Sequence, residues 1–204
     1  MDMENNAMSE AIYYVKTSGQ PDVFAVSRSH EKGAVAPKVE GTLRYVPGVG
    51  LELTMKCWEK NPRALVTTPD ERVCVDSCME MFICCFPEPG ASYLNVEMNA
   101  LGNAKCAFGP DRNNRQTLTE MGITPRPTIT ATVGEDSWQL KCLITEELLE
   151  KLYNRPCTFA TGHEMRANFY KCGDETASPH WATWAPVGRL DFHAPEFFGL
   201  LKIV

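Results

Sequence analysis

The sequence predicts an all-β fold in which antiparallel strands form a sandwich or a barrel. Apolar and polar residues alternate along several segments, which is the pattern of a strand buried on one face. Clusters of proline and glycine, such as FPEPG at 86–90 and ITPRP at 123–127, separate these segments and are typical of turns. A length of 204 residues suits a single domain with a sizeable core.

Three segments show the alternation most clearly. Their apolar positions are Leu51, Leu53, Met55 and Cys57; Leu94, Val96, Met98 and Ala100; and Trp138, Leu140, Cys142 and Ile144. We expect these side chains to face the core. A further strand is predicted within VDSCMEMFI at 75–83, and it should pair with the strand at 93–100 across the FPEPG turn.

One short helix is predicted directly after the strand that begins at Trp138. Thr145 can cap its first turn, and Glu146 and Glu147 suit the positive end of the helix dipole. Pro156 lies just beyond the expected end of the helix.

The chain divides into two parts. Residues 1–40 are predicted to form an irregular N-terminal extension that packs on the edge of the fold, because GQP at 19–21 and AVAPK at 34–38 favour loops. Residues 41–204 are predicted to form the β-domain itself. The start, MDMENNAMSEAIYYVK, is acidic and polar and lacks the features of a secretory signal, so we expect a cytoplasmic protein.

Composition limits the classes of partner. The net charge is −6, and the densest basic cluster, DRNNR at 111–115, holds only two arginines, so a nucleic-acid partner is not expected. No run of about 18 apolar residues occurs, so membrane insertion is not expected either. Nothing in the sequence indicates a particular protein partner.

The nine cysteines are an odd number, and many lie among strand-like apolar residues. Reduced, buried thiols explain this pattern better than a disulfide framework does. We expect neighbouring Cys84 and Cys85 to point to opposite faces of their strand. The cysteines lack paired C-x-x-C spacing, so no metal site and no cofactor are predicted.

The strand at 93–100 has a polar face that could bind a ligand. If Leu94, Val96 and Met98 face the core, then Tyr93, Asn95, Glu97 and Asn99 line the opposite face, about 7 Å apart at each step. Amide and carboxylate groups beside aromatic rings are suited to the hydroxyl groups of a sugar. The alternative is an ordinary solvated outer face of the sheet.

Four segments resemble the carbohydrate-binding module family 9-like proteins. They are VDSCMEMFI at 75–83, SYLNVEMNALG at 92–102, FYKCGDETASPHWATWAP at 169–186 and DFHAPEFFG at 191–199. The resemblance implies an immunoglobulin-like antiparallel β-sandwich and a saccharide ligand, with its reducing end as one candidate. It also implies a site that includes Glu80, Asn95, Glu97 and Asn99.

Tryptophans complete the site that the resemblance implies. The family places a stacking tryptophan near its C-terminal end, where Trp181 and Trp184 lie in a segment rich in turn-forming residues. We expect one of the two to be buried and Trp184 to be the exposed ring. Trp58 resembles the second stacking aromatic of the family.

Two alternative functions remain open. Glu80 and Glu97 could act as the carboxyl pair of a glycoside hydrolase. Alternatively, the sandwich could have a structural or partner-binding role with a degenerate sugar site, because sugar-binding members typically carry Arg, Asn and Gln where this chain has Asn95, Glu97 and Asn99. Members of the family can also carry structural calcium, but Asp76, Asp174, Asp191 and Glu196 form no clustered acidic motif, which favours salt bridges or turn caps.

Overall fold

The computed structural model describes residues 10–204, which form fourteen strands, one α-helix and two short 3-10 helices. In chain order the strands are β1 (Ile12–Val15), β2 (Phe24–Val26), β3 (Arg28–Ser29), β4 (Val39–Val46), β5 (Gly50–Cys57), β6 (Cys78–Cys84), β7 (Tyr93–Asn99), β8 (Ala104–Gly109), β9 (Gln116–Thr117), β10 (Thr128–Val133), β11 (Trp138–Thr145), β12 (Glu164–Gly173), β13 (His180–Thr183) and β14 (Gly199–Ile203). The helix α1 spans Glu146–Tyr153, and the 3-10 helices span Val73–Val75 and Pro195–Phe197.

The strands form two sheets. The larger sheet has nine strands in the order β1-β14-β12-β6-β7-β8-β9, with β13 paired to β12 and β3 paired to β13. The smaller sheet has five strands in the order β10-β11-β5-β4-β2. Within these sheets β1 and β14 run parallel, and the other neighbours are antiparallel. The predicted all-β sandwich with one short helix is therefore confirmed.

The main core lies between the two sheets. Leu94, Val96 and Met98 of β7 are fully buried in it, as the alternation predicts. The predicted apolar positions of β5 and β11 enter the same core from the smaller sheet, and Trp138 is 1% exposed. Strand β6 pairs with β7 as expected.

The helix follows its predicted signals. The hydroxyl oxygen of Thr145 accepts a hydrogen bond from the backbone N–H of Leu148 at 3.2 Å. Leu148, Leu149 and Leu152 bury the inner face of α1 against the main core. The helix ends at Tyr153, and the backbone of the next residue, Asn154, is left-handed.

Residues 10–40 are more regular than the sequence suggested. Strand β1 joins the edge of the larger sheet, and β2 joins the edge of the smaller one. The hydroxyl of Tyr13 links this segment to the main core, because it donates to the carbonyl of Asp22 at 2.6 Å and accepts from the N–H of Leu43 at 3.0 Å. Residues 1–9 of the predicted extension lie outside the described residues, and the boundary at residue 40 remains a prediction.

The outer face of the larger sheet carries a second, smaller core, which is what positions the site. Side chains on β6, β7 and β12 pack there against residues from the segments before β6 and before β14. Its buried members are Val73, Cys78, Phe82, Cys84, Tyr93, Tyr170, Cys172, Phe192 and Phe198. Cys84 belongs to this outer core and Cys85 to the main core, so the prediction that they point to opposite faces is confirmed.

Among residues 10–204, no helix has both the length and the apolar character needed to cross a membrane.

Candidate binding site

A pocket of about 340 Å³ opens on the outer face of the larger sheet, next to the outer core. This volume is within the range of small-molecule sites. Its lining combines acids, bases, aromatic rings and thiols: Arg72, Cys74, Glu80, Glu97, Lys105, Arg112, Arg115, Cys172, Asp174, Trp181, Leu190, Asp191, Phe192 and His193.

The floor of the pocket carries two buried carboxyl groups. Glu80 on β6 and Glu97 on β7 are direct cross-strand partners, so their side chains stand beside each other on the same face. They are only 2% and 5% exposed. Burial and the neighbouring carboxyl of Glu97 raise the pKa of Glu80 to about 8, and burial raises the pKa of Glu97. The floor can therefore donate as well as accept hydrogen bonds at neutral pH.

Behind the floor, a chain of hydrogen bonds fixes Glu97 and Arg115. The side-chain amide of Asn95 donates to Glu97 Oε1 at 3.1 Å, and Arg115 donates to Asn95 Oδ1 at 3.1 Å. The same arginine nitrogen lies 2.6 Å from Nδ1 of His193, which is also 2.8 Å from the hydroxyl of Tyr93. Burial and the charge of Arg115 lower the pKa of His193 to about 3, so its ring is neutral.

Two ion pairs line the walls of the pocket. Arg72 lies 3.2 Å from Asp174, which also accepts a 2.8 Å hydrogen bond from the indole N–H of Trp181. Arg112 lies 2.8 Å from Asp191. Each ion pair leaves further donors or acceptors on the same groups for a ligand.

Aromatic rings flank the pocket beside these ion pairs. Trp181 is half-buried, and its partner across the β12–β13 pairing is Cys172. Phe192 stacks on Tyr170 with ring centroids 4.1 Å apart, so its ring is rigidly held. An apolar ring at the edge of a polar pocket can cover the C–H face of a sugar.

The structure brings together part of the predicted site. Glu80, Glu97 and Trp181 line one pocket, and Asn95 supports Glu97 from behind. The prediction that Asn95, Glu97 and Glu80 lie on the face opposite the main core is confirmed by their position. However, the three side chains are buried and do not lie on an open face of the sheet.

Asn99 points to the same side of the sheet but does not reach the pocket. Its amide nitrogen donates to Asp76 at 2.9 Å and to the carbonyl of Val66 at 2.8 Å, and its oxygen accepts from the N–H groups of Leu101 and Asn103. These bonds use the amide to hold the loop around Val66 on the sheet.

The expectation that Trp184 is the exposed ring is wrong. Trp184 is 9% exposed and packs in the main core, 5.5 Å from Phe169 and 6.4 Å from Phe24 between ring centroids. The segment that precedes it is a regular strand, β13, in which successive side chains alternate between faces. Trp181 and Trp184 are three positions apart, so they point to opposite faces, and Trp181 is the ring at the pocket.

Trp58 is not part of the pocket. It follows β5 of the smaller sheet and is 38% exposed, with the ammonium groups of Lys38 and Lys56 at 4.5 and 5.0 Å from its ring centroid. Its surroundings are those of a surface cation–π cluster.

Sequence reasoning missed most of the pocket walls. Arg112 and Arg115 belong to the DRNNR cluster, which in the sequence indicated only that a nucleic-acid partner is not expected. Phe192 and His193 lie in the DFHAPEFFG segment, which contributed to the family resemblance without naming them. A turn-rich segment with mixed aromatic and charged residues was the available signal, but it does not show which side chains point inward.

The acids considered for calcium are held by arginines. Asp76 pairs with Arg63, Asp174 with Arg72, Asp191 with Arg112, and Glu196 with Arg189. Calcium requires six to eight oxygen ligands around one point. Each of these acids is paired with an arginine, and Asp191 and Glu196 also share Arg189, so the guanidinium groups occupy the acid oxygens and the arrangement does not fit a calcium site.

The family model for carbohydrate-binding family 9 matches residues 27–203. The chain belongs to this family. The match covers the described sandwich except for β1 and β2, and it confirms the expectation of a family 9-like carbohydrate-binding protein. A sequence search of curated proteins gave no match.

Several solved structures, two of them of family 9 modules, share the fold. A protein of Bacteroides uniformis ATCC 8492, considered to be carbohydrate-binding, is 24% identical with a TM-score of 0.79, over 96% of this chain and 100% of its own. A family 9 module of Caldicellulosiruptor kristjanssonii in complex with glucose is 12% identical with a TM-score of 0.66, over 95% of this chain and 96% of its own. The same source gives a cellotriose complex that is 11% identical with a TM-score of 0.64, over 95% of this chain and 93% of its own. At these identities the likeness supports the fold alone.

Proposed function

We propose that the pocket on the larger sheet binds a saccharide without converting it chemically. The observation that carries this proposal is the meeting of the buried Glu80 and Glu97 pair, the arginines of the walls and the Trp181 ring in one pocket. Membership of family 9 supports it, as does the binding of glucose and cellotriose by the Caldicellulosiruptor kristjanssonii module.

The pocket offers the hydrogen-bonding groups that sugar hydroxyls need. A hydroxyl both donates and accepts, so it fits between a carboxylate and a guanidinium. Asp174 beside Arg72 and Asp191 beside Arg112 provide two such combinations on the walls. Trp181 would cover one face of the sugar ring.

The size of the site favours one sugar unit or the end of a chain. A volume of about 340 Å³ suits a small ligand better than the extended strand of a polysaccharide. We propose the reducing end as the recognised terminus, which is the candidate that the family resemblance implies, and the glucose and cellotriose complexes of the family member are compatible with it.

The arrangement of the carboxyl groups argues against a glycoside hydrolase. Hydrolysis requires one carboxyl group on each side of the scissile bond, about 5–9.5 Å apart. Glu80 and Glu97 stand beside each other on the floor as cross-strand neighbours, so a sugar above them would have both on one side. Their positions suit recognition of hydroxyl groups.

A purely structural sandwich with a degenerate site remains the competing proposal. The burial of Trp184 fits it, but the half-buried Trp181 at the pocket does not.

The reduced state of nine cysteines would be maintained in the cytoplasm, which is where we propose that the protein acts.

A glycan array followed by calorimetry tests the proposal. We expect binding of a monosaccharide or short oligosaccharide, with loss of binding when the reducing end is opened by borohydride. Glu97→Gln should weaken binding, and Glu52→Gln on the smaller sheet is the matched control. Release of shorter products during incubation would indicate the hydrolase, and the absence of binding to any glycan would favour the degenerate site.

A further inference from the structure

A second group of functional side chains lies in the floor of the pocket. Cys78 on β6 and Cys172 on β12 are direct cross-strand partners, and Glu80 follows Cys78 by two positions on the same face. All three side chains are buried. Their ligand atoms, two Sγ and one carboxylate oxygen, lie within 4.8 Å of one another.

We propose that Cys78, Cys172 and Glu80 bind a thiophilic divalent cation of the zinc class. The site goes beyond saccharide binding: it shares Glu80 with the floor of the pocket, and a bound ion would take the place of the proton on that carboxyl group. Because the ligands come from neighbouring strands, they lack the C-x-x-C spacing that is typical of many zinc sites.

The distances fit tetrahedral coordination after small side-chain rotations. Zinc–sulfur bonds of about 2.3 Å and zinc–oxygen bonds of about 2.1 Å place two thiolates about 3.8 Å apart, and a thiolate and an oxygen about 3.6 Å apart. In the structure the Cys172 thiol donates to Glu80 Oε1 at 3.0 Å, and the three ligand atoms stay within 4.8 Å. A bound ion would take the place of the proton that the Cys172 thiol donates to Glu80.

The chemistry of the ligands and their surroundings also fits. Thiolate ligands select soft or borderline ions such as zinc over calcium or magnesium. Two thiolates and one carboxylate around a divalent ion leave a net charge of −1 beside the Glu97 carboxyl group. Positive charge comes from Lys171, which acts on Cys78, and from Arg115 and Lys105, which act on Glu97. Glu80 and Cys172 line the pocket, so a fourth coordination position is available to water or another small ligand from that side.

Titration of the fully reduced protein with Co²⁺, in the absence of sugar, tests the site. We expect one equivalent to bind and to produce an intense thiolate-to-cobalt charge-transfer absorption, which Zn²⁺ then displaces. Cys172→Ser and Cys78→Ser should each lower the affinity by more than about 100-fold, since even groups that only hydrogen-bond to a ligand contribute about 10–100-fold.

Two further variants separate coordination from folding. Cys84→Ser lies on the same strand and face as Cys78 but outside the group, so it should retain the absorption and the affinity. Glu80→Gln keeps the size of the side chain and should keep the thiolate absorption while lowering the affinity at least about tenfold. Absence of the absorption in the wild-type protein, or its persistence in a folded Cys172→Ser variant, would overturn the proposal. A Cys78–Cys172 disulfide in a protein that takes up no Co²⁺ when reduced would overturn it as well.

Discussion

Trp181 and Trp184 should respond in opposite ways to the same substitution. They lie three positions apart, yet Trp181 faces the pocket and Trp184 faces the main core. Replacing each with alanine therefore separates ligand binding from packing within one short segment.

The structure sets the size of the two effects. Trp184 is 9% exposed and packs against Phe24 and Phe169, so Trp184→Ala should lower the free energy of unfolding by about 3–5 kcal/mol. Gly199 lies so close that an added Cβ would be 2.6 Å from the Trp184 ring, which shows how tightly the indole is enclosed. Trp181→Ala should cost only about 1 kcal/mol of stability. It should weaken saccharide binding by about 2 kcal/mol, or roughly thirtyfold.

Denaturant unfolding and calorimetric titration of both variants measure these effects. At a temperature where Trp184→Ala is fully folded, we expect it to bind the saccharide with nearly wild-type affinity. Trp138→Ala is a matched control for loss of a buried tryptophan elsewhere in the main core. A Trp184→Ala variant with unchanged stability and lost binding would refute the assignment of the two rings.

Three further predictions concern stability. Because the pKa of Glu80 is raised to about 8, the metal-free folded protein keeps a proton that the unfolded chain releases near pH 4.5, so the free energy of unfolding should fall as pH rises between these values. In the presence of a chelator, Glu80→Gln should flatten that part of a urea-unfolding pH profile, and an unchanged slope would contradict the raised pKa. The ammonium of Lys171 is fully buried 3.6 Å from Glu59, so Glu59→Gln should cost about 3–5 kcal/mol in chemical denaturation, whereas Lys171→Met combined with it should recover part of the loss. Thr145→Ala removes the cap of α1 and should cost about 1 kcal/mol, measured by thermal melting against the neighbouring Glu147→Ala.

The period of two was sufficient to predict the central strands of the sandwich. It identified β5, β7 and β11 and the face that each turns to the main core, because apolar residues on that face alternate with more polar residues on the other, even in β7, where both faces are buried. The short edge strands left no such record. Strands β1 and β2 have only four and three residues, and they are recognisable only through their pairing with β14 and β4.

The site was only partly predictable for the same reason. Glu80 and Glu97 follow from strand register, since a cross-strand pair is fixed once the turn between β6 and β7 is known. Arg115 and His193 come from segments whose path depends on packing over the outer face of the sheet. The expectation that Trp184 is exposed was wrong because the turn-forming residues near β13 favoured a loop, whereas the segment is a strand whose side chains alternate between the two faces. Asn99 was assigned to the ligand although its hydrogen bonds hold a neighbouring loop.

Titration of the protein with the saccharide, followed through the indole N–H resonances of its four tryptophans, tests the central claim most directly. The resonances are assigned with single Trp→Phe variants. If the pocket on the larger sheet is the saccharide site, the Trp181 signal should shift with saturation, while those of Trp58, Trp138 and Trp184 stay in place. A saturable shift of Trp58 without one of Trp181 would place the ligand on the smaller sheet and contradict the account.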